Sequence, residues 1–313
     1  MATREATNDP VRRVRRIGES AHDRVLLIAI YVVLALIGLA IVYPLIYILS
    51  ASFSSANAVL AGQVWLWPVH ATLDAYAGAF QYATVLPGFF YSAVYTVGGT
   101  VLALLLTVMM AYPLSRRDFV GRRFFIWAIL FSMMFSGGLI PYYLVVKDLG
   151  MLNTIWSQFV PAGLNVFLVI LTKSFFQQSI PQDLVDAAEI DGASDVIFLV
   201  RIVLPISKPI LAVIALLTAV GIWNSYFGAL IFLNSTSLYP ITMVVRSILE
   251  LGNITAAGFG FTNMTPQQLQ YYHNLETLLQ YSLIVVSTIP MVALYPFAQK
   301  YFVKGVMLGS LKD

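Results

Sequence analysis

The chain has 313 residues, 59% of them hydrophobic and 11% charged, with a net charge of +3 and no cysteine. A soluble domain carries about 25% charged residues, so this balance points to a membrane protein. Without cysteine there is no disulfide framework and no thiolate metal site; His22, His70 and His273 share no ligand spacing, and no Gly-rich phosphate loop is present.

Residues 1–24 form a basic, polar segment. The first apolar run, Val25–Leu49, is longer than the core of a signal peptide and long enough to span a bilayer, so it reads as a retained first helix. Five further apolar stretches follow at about Phe89–Tyr112, Phe124–Val146, Ile155–Phe176, Pro209–Leu233 and Thr277–Ala298. Each approaches the ~20 residues a helix needs to cross hydrocarbon, where backbone groups must be satisfied within the segment. Gly137-Gly138 and Pro141 interrupt the third stretch; Pro161, Gly163 and Asn165 interrupt the fourth. Such breaks are tolerated where a helix faces protein or a water-filled path. Trp65, Trp67 and Trp156 fall near expected outer ends and Trp127 near an inner end, as in an aromatic belt.

The basic residues orient these spans. With six spans, all but Lys147 and Arg246 of the 18 lysines and arginines fall on one side. They lie in the N-terminal segment, at Arg116, Arg117, Arg122 and Arg123, around Lys173, Arg201 and Lys208, and at Lys300, Lys304 and Lys312. The positive-inside rule then places both termini in the cytoplasm. The expected fold is all-α and integral to the membrane. A transmembrane body covers 25–299, with a polar cytoplasmic loop at about 178–208 between spans four and five, an outer loop at about 234–276 and a cytoplasmic tail at 300–313.

The loop at 178–208 is helix-forming and polar. Ser179, three residues before Gln182, fits a capping box, and Pro181 suits a first turn. Asp183, Asp186 and Glu189 complement the dipole of a short helix, and Ala187 and Ala188 remove bulk where another surface can approach. Asp191-Gly192 reads as a helix stop, Ser194 as the cap of a second helix running to about Leu204, and Pro205 with Pro209 as its end and the start of span five. The expected element is helix, turn, helix.

The run Asp186-Ala187-Ala188, then Gly192, Ile202, Leu204 and Pro205, resembles the coupling-loop signature of ATP-binding-cassette importer permeases: Glu-Ala-Ala, three residues, Gly, nine residues, Ile, one residue, Leu-Pro. Asp186 stands where that signature has Glu. Met134–Pro141, Leu149–Thr154, Trp223–Ile231 and Tyr301–Ser310 are similar to the carbohydrate (maltose-type) permeases, closest to the branch handling complex and uronate-containing oligosaccharides. The resemblance covers the chain from about Val25. It implies a non-catalytic transmembrane subunit of a binding-protein-dependent oligosaccharide importer in the bacterial cytoplasmic (inner) membrane. The chain would form half of the translocation path. It implies as partners a second, similar permease, two ATPase subunits and an extracytoplasmic sugar-binding protein. ATP and Mg would be bound by the ATPase, with no cofactor in this chain. Asp186, Ala187, Ala188, Glu189, Asp191, Gly192, Ala193, Leu204 and Pro205 would then face or shape the ATPase contact.

Span five contains Trp223, Asn224, Ser225 and Tyr226 in succession. An unpartnered Asn in lipid costs several kcal/mol, so Asn224 is expected to face the bundle or a water path. Trp223, Asn224 and Tyr226 are therefore candidates to line a sugar path, by ring stacking and hydroxyl hydrogen bonds; helix-to-helix bonding by Asn224 and Ser225 is the competing reading. Tyr142 and Asn165 are further candidates. Asp, Glu, Lys and Arg are absent from the centres of the expected spans, which disfavours an ion-coupled carrier. A secondary carrier or scaffold working without an ATPase is the alternative.

Overall fold

The computed structural model describes residues 21–135, 137–256, 279–294 and 296. Among them the regular structure is helical, with no strand. The chain divides into two units, residues up to Tyr47 and residues from Ile48 onward. Most of the first unit is the greater part of helix α1 (Ala21–Ser52), which has Asp23 in its first turn and Pro44 inside it. Its sequence is apolar on every face from Val25 to Leu49, which calls for lipid or another protein around it.

The second unit is built on one long helix. After the short helices α2 (Ala56–Leu60) and α3 (Asp74–Gln81) comes α4 (Val85–Ser115). It is followed by α5 (Arg122–Met134), α6 (Leu139–Asp148), α7 (Trp156–Ala162), α8 (Val166–Ser179), α9 (Gln182–Ile190) and α10 (Asp195–Phe198). A π-helical turn (Leu199–Val203) leads to α11 (Leu204–Ile206), α12 (Lys208–Asn224), α13 (Phe227–Phe232) and α14 (Ile241–Ala256). A last apolar helix, α15, covers Leu279–Leu294.

The expected spans appear as helices, but several are broken. Among the described residues only α1 and α4 are single helices long and apolar enough to cross a membrane, and up to five crossings arise if each bent pair is one span. The interruptions expected in the third and fourth stretches are present. Gly138, at φ 83°, separates α5 from α6. Helices α7 and α8 meet at 49°. Asn165 caps α8, its Oδ1 accepting from the Leu168 N–H at 3.3 Å. The fifth stretch, expected to run unbroken over Pro209–Leu233, is divided at Ser225-Tyr226 into α12 and α13. The long segment after it is not all loop, since α14 occupies Ile241–Ala256 and buries Ile241, Met243, Val244 and Ile248. The ends of the sixth stretch, the segment 1–20, most of the outer loop beyond Ala256 and the tail 300–313 lie outside the described residues.

Helix α4 packs against α12, α8, α14 and α7 because one of its faces is nearly smooth. Gly88, Ser92, Tyr95, Thr96, Gly99, Ala103, Thr107 and Ala111 recur at three- and four-residue spacing and are buried. Small residues let helix backbones approach closely where no water-driven force separates inside from outside. A Cβ on Gly99 would stand 2.6 Å from Ile222 Cδ1, and one on Gly98 2.6 Å from Phe159 Cζ. At Gly88 the obstacles are Val244 Cγ2 at 3.0 Å and, behind it, backbone, the Ile241 Cα at 3.3 Å. Polar ties fix the register: Ser92 Oγ accepts the Ile241 N–H at 2.8 Å, and the Tyr95 hydroxyl donates to the Leu238 carbonyl at 2.8 Å.

Gly88→Val is expected to destabilise the protein by about 1–3 kcal/mol, because the Val244 side chain and the start of α14 have to give way. Thermal unfolding of the detergent-solubilised chain checks this; an unchanged midpoint would mean that α4 and α14 are not held this close.

Candidate functional site

The polar loop folds as two short helices around a glycine turn. Helix α9 begins after Pro181, whose φ of −62° is set by its ring. The capping box does not form. Ser179 is the last residue of α8, so Pro181 takes the cap position without a side-chain bond, and Gln182 Nε2 donates instead to Asp186 Oδ1 at 2.9 Å. Gly192 sits at φ 73°, the left-handed region that glycine enters without steric cost. Its N–H donates to the Glu189 carbonyl and the Ala193 N–H to the Ala188 carbonyl, each at 3.0 Å, closing α9. Ser194 caps α10, its Oγ accepting from the Ile197 N–H at 3.4 Å.

Pro205 does not end this second helix, contrary to expectation. The Leu204 N–H reaches back five residues to the Leu199 carbonyl, so the turn ahead of Pro205 is a widened π turn, and a proline is tolerated where the usual i to i−4 pattern is already interrupted. The helix continues to Ile206 and breaks at Ser207, ahead of Pro209 in the first turn of α12.

The loop residues divide by exposure. Asp186, Ala187, Glu189, Asp191, Gly192 and Pro205 are exposed; Ala193 and Leu204 are half-buried. Ala188 is buried against the core that contains Val185, Phe198 and Ala111, so its small size serves packing within the chain. Ile190 was missed by sequence reasoning. It is 87% exposed at the end of α9, and Val196 and Val200, beyond the turn, are exposed as well. Apolar side chains in an otherwise polar loop were the available signal.

Arg116, at the C-terminal end of α4, fastens this loop. Its Nη2 donates to Glu189 Oε1 at 2.9 Å, its Nε to Asp118 Oδ1 at 3.0 Å, and Nη2 lies 3.8 Å from Asp195 Oδ1. The hydrogen bond from Arg116 holds the Asp118 carboxyl below the usual range. A cavity of about 560 Å³ opens beside the contact, between the end of α4 and the start of α9, lined in part by Arg117, Arg122, Gln177 and Gln182.

The second region is the break between α12 and α13. Trp223 is buried, next to Phe89, and its Nε1 donates to the Ser287 carbonyl at 3.0 Å, so its ring ties α12 to α15 inside the core. Asn224, Ser225 and Tyr226 are exposed. The Ser225 carbonyl, released by the break, accepts from Thr242 Oγ1 at 3.0 Å. The Arg246 guanidinium lies 4.9 Å from the centre of the Tyr226 ring and pairs with Glu250 at 2.7 Å. A cavity of about 240 Å³ borders the same break, with Tyr142, Gln158, Ser92, Tyr95 and Ser225 among its walls. Tyr142 and Ser225 therefore meet one space. Asn165 is not among its walls; its side chain is spent on capping α8. Gln158 was not singled out from sequence, because a lone Gln in an apolar stretch carries no pattern.

Residues 103–308 match the family model described as the binding-protein-dependent transport system inner membrane component. The chain belongs to that family. It is therefore a permease subunit of the ATP-binding-cassette importer type. It is 40% identical over 277 residues to Protein LplC of Bacillus subtilis (strain 168), covering 88% of this chain and 91% of the relative. It is 38% identical over 288 residues to the polygalacturonan/rhamnogalacturonan transport system permease protein YtcP of the same organism, covering 90% and 96%. A bacterial ABC transporter involved in the import of the acidic polysaccharide alginate has a chain of the same fold, with a TM-score of 0.80, 34% identity, and coverage of 90% of this chain and 98% of that one.

Gly192→Val is expected to lower substrate-stimulated ATP hydrolysis of the assembled transporter, since a β-branched residue resists positive φ at a cost of about 1–2 kcal/mol. Wild-type stimulation in that variant would show that the shape of the turn does not matter to coupling.

Proposed function

We propose that this chain is one half of the translocation path of an ATP-driven, binding-protein-dependent importer of oligosaccharides, of the branch that takes uronate-containing chains. It works with a second, similar permease, two ATPase subunits that bind ATP and Mg, and an extracytoplasmic sugar-binding protein. The body at 25–299 crosses the bacterial cytoplasmic membrane six times with both termini inside. Membership of the permease family, together with the polygalacturonan/rhamnogalacturonan and alginate transport named for its relatives, supports this reading.

The observation that carries the mechanism is the exposed helix-turn-helix at 182–206, with Ile190 exposed at the end of α9. In this reading the ATPase receives the loop. Ile190 and Val196 fill an apolar recess, Asp186, Ala187, Asp191 and Gly192 form the polar face around them, and Ala188, Ala193, Leu204 and Pro205 set the loop's shape. ATP-driven closure displaces the loop, and α4 and α12 carry that displacement into the membrane. Sugar passes along the space beside the α12–α13 break. Tyr142 and Gln158 offer hydroxyl-binding groups in its wall, and Asn224 and Tyr226, exposed at the break outside that wall, offer an amide and a ring face where the path continues. A volume of about 240 Å³ is smaller than the about 300–1,000 Å³ of a closed ligand pocket, which suits a half-path completed by the partner permease.

Ile190→Asp is expected to strip the ATPase from the purified complex, because the charge would lose water on docking. Pull-down stoichiometry reads this, and full retention would remove Ile190 from the contact. Asn224→Ala and Tyr142→Ala are expected to cut sugar uptake in proteoliposomes while assembly stays intact; normal uptake in both would move the sugar path away from this break.

A further inference from the structure

Glu189 and Asp195 stand on either side of the Gly192 turn, one near the end of α9 and the other at the start of α10. Both face the same cation. Arg116 Nη2 donates to Glu189 Oε1 at 2.9 Å and lies 3.8 Å from Asp195 Oδ1. The guanidinium is braced from the other side by Asp118, through Nε at 3.0 Å and Nη2 at 3.2 Å. Tyr112, one turn back on α4, donates to the Asp195 carbonyl and carboxylate at 3.4 Å. The Arg116 side chain is only 13% exposed, whereas Asp118, Glu189 and Asp195 are 62–74% exposed. Three carboxylates from three segments thus converge on one half-buried fork.

Solvent-exposed ion pairs contribute little to stability on their own, so a purely stabilising role is a weak account of this arrangement. Direction is what a guanidinium supplies: its rigid fork fixes the orientation of the groups it binds. The apolar contacts of Val185 and Ala188 also join α9 to this end of α4, but burial of apolar surface is non-directional and lets packed helices slide. The cavity of about 560 Å³ between the end of α4 and the start of α9 leaves room for such a slide. We propose that Arg116 is the joint through which movement of the coupling loop enters α4, holding α9 and α10 together at a fixed angle to it. Glu189 then acts inward, on Arg116, and not on the ATPase. Arg116 and Glu189 are positioning residues. The inference rests on the reading of the loop as the ATPase-docking element.

The test is made on the full transporter in proteoliposomes with its binding protein, comparing wild type, Arg116→Gln, Glu189→Gln and the double variant. The readouts are sugar transported per ATP hydrolysed and the number of ATPase copies in each purified complex. Both single variants are expected to keep two ATPase copies and to lower the transport-to-hydrolysis ratio by about two- to thirtyfold. The double variant is expected to be no worse than the more affected single, as for two members of one interaction. Glu189→Gln changes an exposed residue, so it remains informative if Arg116→Gln does not assemble. A wild-type ratio in Glu189→Gln overturns the joint. Loss of the ATPase from Glu189→Gln also overturns it, by making Glu189 a direct docking residue. Failure of the docking reading is separate: the wild-type complex would itself purify without an ATPase.

Discussion

The close approach of neighbouring helices to α4 is the constraint on which the rest of this structure depends. Glycine, serine, alanine and threonine along one face of α4 let α12, α14 and α7 come within the distance of a missing methyl group. In a hydrocarbon surround, apolar burial does not drive helices together, so dispersion contacts and a few interhelical hydrogen bonds must do so. Ser92 and Tyr95 supply two of those bonds, both to the segment that leads into α14. These contacts hold α4 in register with its neighbours. Its N-terminal half holds the segments beside the α12–α13 break, and its C-terminal end carries Arg116 and the polar loop.

Within the same unit three helix pairs are bent at short breaks, and polar groups gather at such breaks. A broken helix leaves carbonyl and N–H groups that must find partners. Thr242 answers for the Ser225 carbonyl, Asn165 for an N–H of α8, and Asn153, itself at positive φ, accepts from the Asn234 and Ser235 N–H groups. The exposed Asn224 and Tyr226 at the α12–α13 break are free of that duty to different degrees, Tyr226 already lying under Arg246. Trp223, adjacent in sequence, is turned by the helix into the core, where its indole holds α15. One residue of rotation separates the core anchor Trp223 from the exposed Asn224.

Much of this was legible in the sequence. Hydropathy located the helices, the Gly137-Gly138 and Pro161–Asn165 interruptions marked two of the breaks, and Asp191-Gly192 and Ser194 marked the turn and the second cap. What was not legible had local physical reasons. The Ser225-Tyr226 break carries no proline or glycine, so an apolar window ran straight across it. Pro205 signalled a helix end because a π turn that accommodates proline has no sequence signature. Ser179 matched a capping box, but α8 extended far enough to consume it. Helix α14 was hidden in a segment that looked polar by composition, although its apolar residues are gathered on one face. The role of Arg116 was masked by its neighbours, since a cluster of four arginines is fully explained by membrane orientation until the partners of each are seen.

The central claim is that this chain is half of an ATP-driven path and works only in an assembly. Intact-complex mass spectrometry of the tagged chain, purified in mild detergent from its native membrane, tests that claim most directly. The account predicts a mass equal to this chain, one second permease and two ATPase subunits. The chain alone, or a homo-oligomer of it, under conditions that preserve known transporter complexes, would contradict the account.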